Sequence, residues 1–417
     1  MGRNALNNGE AGVKHVVLIV DGASGWPAAA LGGRTALEAA RTPNLDRLAK
    51  EGTTGTADNV PEGMEASSAV ACMSVMGFDP AVYYAGRGPI EATAMGIDLE
   101  PGQVAMRCNL VTVAEGRMVS YSAGNISSAE AAELVDALRA ELADERLDLF
   151  AGVSFRHILT VRDGAALLKT EFTPPHDVTD DLIADFGPRG PGAGLVCALT
   201  ERSRAVLADH PINRARVARG QLPATQIWLF WPGMRPEAAP SFAAANGGLT
   251  AALTSGVDLL RGLAMQTGVD LVSISGVTDD GTNDYAGQMA GALAALADHD
   301  VVFVHVEAPD EASHAGDAEG KVRALERVDA LKVPQLLDGA LAGVYGWAAE
   351  HQVRLLVLPD HPTPLELKTH VAEPVPFLMW GPGFVPNGAT AYTEKEARAT
   401  GFAVAPGHLL LSKFLRT

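Results

Sequence analysis

Cysteine is scarce in this 417-residue chain. Cys72, Cys108 and Cys197 stand far apart with no C-x-x-C spacing, which argues against a disulfide framework and suits buried spectators in a reducing compartment. Basic residues are also in short supply, with 32 Lys and Arg against 50 Asp and Glu, a formal charge of −18 and a pI near 5. That balance excludes a phosphate-backbone binder, because nucleic-acid affinity comes from clustered Lys and Arg. An anionic small-molecule substrate would need a local basic pocket or a metal. No apolar run approaches the roughly 18 to 20 residues that span a bilayer, and the polar start Met1-Gly2-Arg3-Asn4 has no signal-peptide core. The expectation is a cytoplasmic protein without membrane or nucleic-acid partners. None of this bears on oligomeric state.

What is present is apolar bulk, 47% of residues, enough for one large domain with a smaller one, or for two medium domains. Short β-branched runs recur at Val16–Val20, Val153–Val161, Ile227–Phe230, Leu271–Ile274, Val301–Val306 and Leu355–Leu358. Ala/Leu/Glu-rich segments with helical spacing lie between them, at Ser128–Ala143, Leu249–Gln266, Gly287–Ala297 and Lys321–Glu350. Strands alternating with helices predict an α/β fold with a mostly parallel, covered sheet. The Gly/Pro-rich stretch Gly187–Gly194 closes a middle region with its own helix and strand. The expected division is a discontinuous core of residues 12–119 and 195–417 around a smaller inserted domain at 120–194.

Ligands of such sheets sit beyond the carboxyl ends of the strands, so the residues after each apolar run are the candidates. Val16–Val20 ends in Asp21-Gly22; Val301–Val306 leads to Asp310 and, four residues on, His314; Leu355–Leu358 leads to Asp360-His361, with His370 shortly after. Singly, each has an ordinary reading as a helix cap, a turn former or a solvated helix pair. Together they supply carboxylates and imidazoles for two divalent ions rather than one, Mn²⁺ or Zn²⁺ by donor type, with Mg²⁺ also compatible. Paired metals about 4 Å apart serve phosphoryl chemistry by clamping the attacking and leaving oxygens. A nucleophile is available in Glu65-Ala66-Ser67-Ser68-Ala69-Val70, where a serine would open a helix, unless it is only an N-cap. A nucleotide is not expected: Gly316 to Lys321 followed by Val322 is one residue short of a P-loop and lacks its Ser or Thr.

The ordered set Asp21-Gly22, Thr42-Pro43-Asn44-Leu45-Asp46, Gly77-Phe78-Asp79-Pro80, Gly86-Arg87-Gly88-Pro89-Ile90-Glu91-Ala92, Pro175-His176-Asp177, Ala308-Pro309-Asp310-Glu311-Ala312-Ser313-His314, Asp360-His361 and His370 resembles the archaeal-type, cofactor-independent phosphoglycerate mutases of the alkaline phosphatase superfamily. The resemblance runs from about Lys14 to the C-terminal region. It implies that Ser68 attacks the phosphoryl group and returns it to the other hydroxyl of the same glycerate. It further implies one metal on Asp21, Ser68, Asp360 and His361, and a second on Asp310, His314 and His370. Lys321 matches a family lysine that contacts the phosphoryl oxygens; its ordinary reading is a helix-surface lysine. Arg87 and Arg107 match family arginines, and Arg156-His157 occupies a comparable place, all as substrate anchors.

Two segments depart from the family pattern. Pro-Gly-Ser-Asp around the nucleophile is replaced by Ala66-Ser67-Ser68-Ala69, which also makes Ser67 a candidate, and an arginine-rich Asp-Arg-Arg-Ala-Gly-Arg is replaced by Ser120-Tyr121-Ser122-Ala123-Gly124-Asn125. The metal ligands are intact while part of the substrate shell is altered. Alternative readings are therefore a metal-dependent phosphatase or phosphotransferase on another small phosphorylated or phosphonate metabolite, and an inactive binding protein on the same scaffold. An inserted domain that closes and excludes water would favour the mutase, since water would hydrolyse a phosphoenzyme.

Overall fold

Runs of β-branched and aliphatic residues form the strands, and the structure, a computed structural model, describes residues 12–142, 144–235, 239–330, 344, 347–348 and 351–417. The chain divides into two compact units, Met1–Tyr84 with Ala238–Thr417, and Ala85–Glu237. In chain order the strands are β1 (Lys14–Val20), β2 (Thr53–Ala57), β3 (Val104–Ala114), β4 (Arg117–Ser120), β5 (Leu147–Phe150), β6 (Arg156–Val161), β7 (Gln226–Met234), β8 (Ala251–Thr254), β9 (Asp270–Leu271), β10 (Val301–Val306), β11 (Val353–Leu358), β12 (Val375–Trp380) and β13 (Ala403–Val404).

The larger unit holds an eight-stranded sheet in the order β13-β2-β12-β11-β1-β10-β8-β9. It is mostly parallel, with antiparallel pairs only where β12 meets β11 and β2. The central strands β1, β10 and β11 are buried along nearly their whole length, as expected for a sheet covered on both faces. Val16, Leu18, Val304 and Val357 pack against Leu48, Met289 and Leu325, and each such side chain contributes roughly 1.5–3 kcal/mol by leaving water. Three helices of this unit carry candidate functional side chains: α1 (Ser68–Val75), α2 (Ala308–Ala315) and α3 (Ala318–Asp329).

The smaller unit is an antiparallel sheet, β4-β3-β6-β5 with β7 also paired to β3. Its long strand β3 alternates: Val104, Met106, Cys108 and Leu110 enter a core with Leu134, Leu138 and Leu199. Arg107 and Asn109 therefore point to the opposite face.

The fold revises several expectations. The smaller unit spans 85–237 rather than 120–194, because β3 and β7, which flank the Gly/Pro-rich stretch in sequence, are the strands that hold its sheet together. Leu249–Gln266 is not one helix: Ala251–Thr254 is a buried strand beside β10, and the helix begins at Asp258. The strand at Leu271 stops there, and residues 153–155 form a turn before β6. Of the Lys321–Glu350 segment, α3 ends at Asp329, and residues 331–343, 345–346 and 349–350 lie outside the described ones. Among the described residues no helix is long and apolar enough to cross a membrane.

Candidate active site

Register alone brings the first carboxylates together. Ile19 pairs with Leu358 and Val20 with Val306, so Asp21, Glu307 and Asp360 leave three adjacent parallel strands at the same end. The Asp21 amide still bonds Val306 O at 2.9 Å, which carries the β1–β10 ladder to the edge of the site. Gly22, at φ +59°, makes the next step possible: a Cβ there would lie 2.4 Å from Asp310 Oδ1 and 2.8 Å from its Cα. The chain thus needs glycine to admit α2, whose third and seventh residues are Asp310 and His314.

The three expected imidazoles are among those that face these carboxylates, each with its Nδ1 committed elsewhere. His314 Nδ1 lies 2.8 Å from Lys368 O and His370 Nδ1 lies 3.2 Å from Ala66 O. A carbonyl only accepts, so both Nδ1 atoms carry hydrogens and Nε2 is the atom that each ring turns toward the carboxylates, the one that bears the lone pair whenever the ring is neutral. Those two Nε2 atoms are 2.9 Å apart, and 3.1 and 3.5 Å from Asp310 Oδ2. His361 follows the same rule. Thr363 Oγ1 donates to Asp310 Oδ1 at 2.5 Å and so accepts from His361 Nδ1 at 3.2 Å, leaving the His361 Nε2 lone pair 3.1 Å from Ser68 Oγ.

Ser68 is the first residue of α1, with Ser67 as an N-cap whose side chain makes no capping bond. Asp360 Oδ1 accepts from the amides of Gly22 and His361 at 3.3 and 2.8 Å, and its Oδ2 stands 3.1 Å from His361 Nε2. Asp21 Oδ1 is buried without a hydrogen-bond partner. Converging lone pairs and an orphaned carboxylate oxygen are a donor set for cations. The groups Asp310/His361/His370 and Asp21/Asp360/His361 each bring their ligand atoms within 4.8 Å of one another.

The carboxylates and imidazoles balance one another's charge. Burial pushes the Asp21 carboxyl well up, reinforced by Asp360 and Asp310. Burial would raise Asp310 too, but bonds from His314 and His370 hold it well below the usual carboxylate range. Against its own burial, His314 is lifted to about 9 by Asp310, whereas burial takes His361 down to about 4. Lys321 on α3 is a buried side chain, not a surface one: its Nζ donates to Ser24 O at 3.1 Å and Thr363 O at 2.9 Å, and burial lowers it to about 8.

All seven residues expected as metal ligands, with Lys321, therefore lie in the larger unit around one centre. Sequence reasoning missed four neighbours: His305 and Glu307 at the end of β10, Cys72 on α1 and Thr363. A histidine inside the apolar run Val301–Val306 was the available signal.

In the smaller unit, Glu91 joins two of the expected arginines. Arg87 Nε donates to Glu91 Oε1 at 2.8 Å and Arg107 Nη1 donates to Glu91 Oε2, while Arg107 Nε bonds Asn109 Oδ1 at 3.0 Å. Burial alone would raise the Glu91 carboxyl, but Arg107 and Arg87 hold it below the usual range. The Arg87 guanidinium stacks over Trp231 at 4.0 Å. Arg156 lies over Phe155 at 5.3 Å with its buried Nε unpartnered. His157 is buried; its Nδ1 accepts from the Gly152 amide at 3.1 Å, and burial takes its pKa down to about 3.

Residues 49–213 match the family model described as 2,3-bisphosphoglycerate-independent phosphoglycerate mutase. The chain is 43% identical over 402 residues to the protein of that name from Methanothrix thermoacetophila, covering 96% of this chain and 98% of the relative. It is 41% identical over 409 residues to a probable one from Geobacter sulfurreducens, covering 97% and 100%. Among solved structures, the PH0037 protein of Pyrococcus horikoshii is similar at TM-score 0.77 and 26% identity over 97% and 96% of the two chains. The cofactor-independent phosphoglycerate mutase of Thermoplasma acidophilum is similar at 0.61 and 25% over 97% and 99%.

Proposed function

Because the chain belongs to the 2,3-bisphosphoglycerate-independent phosphoglycerate mutase family, we propose that it interconverts 3- and 2-phosphoglycerate through a phosphoserine at Ser68. The observation that carries this reading is the convergence of three Nε2 atoms, from His314, His370 and His361, on buried carboxylates beside a serine at the head of a helix.

Two divalent ions, Mn²⁺ or Zn²⁺ by donor type, would be held by Asp310, His314 and His370 and by Asp21, Ser68, Asp360 and His361; when bound they neutralise the phosphoryl group and lower the serine's pKa. The chain's own groups do the rest. His361 Nε2 accepts the Ser68 hydroxyl in a hydrogen bond that holds Oγ at the N-terminus of α1, where free amides and the dipole favour negative charge, and the same lone pair is the one that would turn to a cation. Lys321 spends two of its three donors on Ser24 O and Thr363 O, which ties together the loops after β1 and β11, and offers the third to a phosphoryl oxygen. Arg87 and Arg156 are assigned as the anion anchors of the smaller unit. Arg107 orders Arg87 through their shared Glu91, and burial with the nearby Arg107 charge keeps His157 neutral.

Phosphorus NMR on the purified protein with Mn²⁺ and 3-phosphoglycerate, against a chelator control, tests the reading. Metal-dependent growth of the 2-phosphoglycerate signal is expected. Free phosphate alone would mark a phosphatase, and an unchanged spectrum would point to a phosphorylated or phosphonate analogue, for which the altered turn Ser120–Asn125 is the reason.

A further inference from the structure

Four donors in the buried centre of the larger unit have no part in that two-ion scheme: Cys72, His305, Glu307 and the second oxygen of Asp21. His305 is fully buried on β10, with Nδ1 3.0 Å from Ser255 Oγ and Nε2 2.8 Å from Asp21 Oδ2. Glu307 Oε2, buried and without a hydrogen-bond partner, lies 3.4 Å from the same Nε2. Cys72 is fully buried one turn into α1, and ligand atoms of Asp21, Cys72 and His305 all lie within 4.8 Å of one another. The two oxygens of Asp21 thus face different partners. Oδ1, itself unpartnered, is 3.7 Å from His361 Nε2, while Oδ2 meets His305.

We propose that Asp21, Cys72 and His305, with Glu307 as a fourth donor, form a third cation seat that shares the Asp21 carboxylate as a bridge to the Asp360–His361 group. One sulfur, one imidazole nitrogen and two carboxylate oxygens make a borderline-soft set of four, the number and type that Zn²⁺ takes in tetrahedral sites, and one that Mn²⁺ and Mg²⁺ suit less well. Loading exchanges the Cys72 S–H bond for a metal–sulfur bond, and the proton leaves to solvent. Asp21, Glu307 and the thiolate then bring three negative charges to a dication, one of them shared. Ser255 supports the seat from behind: its Oγ accepts from the Val257 amide at 3.0 Å and faces His305 Nδ1, leaving Nε2 directed inward. The seat shares Asp21 with the two-ion reading but does not depend on it.

Cobalt substitution tests it on the full chain. The metal-stripped protein is titrated with Co²⁺ while the near-ultraviolet sulfur-to-cobalt charge-transfer band is followed, and bound metal is counted by mass spectrometry. A band that saturates at one sulfur-bound ion per chain is expected, lost in Cys72→Ala together with one ion, and kept in Cys197→Ser, whose cysteine is exposed. Visible cobalt bands without any sulfur band in the wild type would overturn the proposal, whether or not the variant folds, as would a band that survives Cys72→Ala. A sulfur band that persists when His314→Ala removes no ion supports the third seat and counts against the two-ion reading instead.

Discussion

Ser68 Oγ lies 3.1 Å from His361 Nε2, whose ring is fixed by Thr363 on its other side, so the serine hydroxyl has one acceptor and one direction. Ser67 differs: it is the N-cap of α1, and its buried Oγ has no partner. Ser68→Ala is expected to cut mutase turnover by about 10³-fold or more while the His314/His370 seat keeps its metal. Ser67→Ala should stay within about tenfold of wild type. The opposite pattern in a coupled assay would move the nucleophile to position 67.

His314 and His370 stand together against Asp310, so in the proposed seat removing either ring takes away a ligand that the others do not replace. His314→Ala and His370→Ala are each expected to lose one bound ion per chain and most of the activity. Two ions retained by both variants in mass spectrometry would show that the seat is not built as proposed.

Gly22 admits Asp310 only because it has no Cβ. Gly22→Ala adds a left-handed backbone penalty of about 1–2 kcal/mol and pushes on the Asp310 carboxylate. Thermal unfolding should shift down, and metal content should fall with it. A variant with wild-type metal content and melting temperature would mean that α2 moves freely away from β1.

His157 supplies a pH signature away from the proposed ligands. Its folded pKa is lowered to about 3 by burial, below the ordinary 6.5 of the unfolded chain. Below pH 6.5 the unfolded chain therefore binds a proton that the folded one refuses, and the stability His157 contributes falls with pH through that window, by up to about 1.4 kcal/mol per pH unit. Urea unfolding of wild type and His157→Gln at pH 7.5 and 5 should show the wild type losing more. Equal losses would mean that His157 takes up its proton while folded. His15, taken down to about 4 by burial against Phe414, acts in the same direction in both proteins and cancels in the difference.

Arg87 offers a planar fork stacked on Trp231 and bonded to Glu91. Arg87→Lys keeps the charge but loses both the fork and the stacking, so KM for phosphoglycerate should rise about tenfold or more with a smaller effect on kcat. An unchanged KM would assign Arg87 to the fold of the smaller unit rather than to substrate.

The carboxylates and imidazoles that meet in the larger unit were legible because Asp21, Asp360 and His361 directly follow apolar runs, and Asp310 and His314 come soon after one. A parallel sheet gathers those ends in one place. His305 and Cys72 were not, because a histidine within Val-Val-Phe-Val-His-Val and a cysteine within an Ala/Val/Met helix read as core, which they also are. The smaller unit's limits were misjudged for a related reason: β3 and β7 pair across more than a hundred residues, and nothing local to Val104–Ala114 says which sheet it joins. Strand β12 carries Pro376, which reads as loop until the antiparallel neighbours β11 and β2 are in place.

The tethers on His314 and His370 end on the carbonyls of Lys368 and Ala66. Every amino acid carries a carbonyl, so these positions contribute backbone to the tether whatever side chain they bear, and position 368 does so from a left-handed turn at φ +56°. The stretch that includes Ala66 is where this chain departs from the Pro-Gly-Ser-Asp pattern. A chain can therefore change the letters beside its proposed nucleophile while the histidine that faces them stays aimed, and drift in that motif is a poor guide to whether the chemistry has been lost.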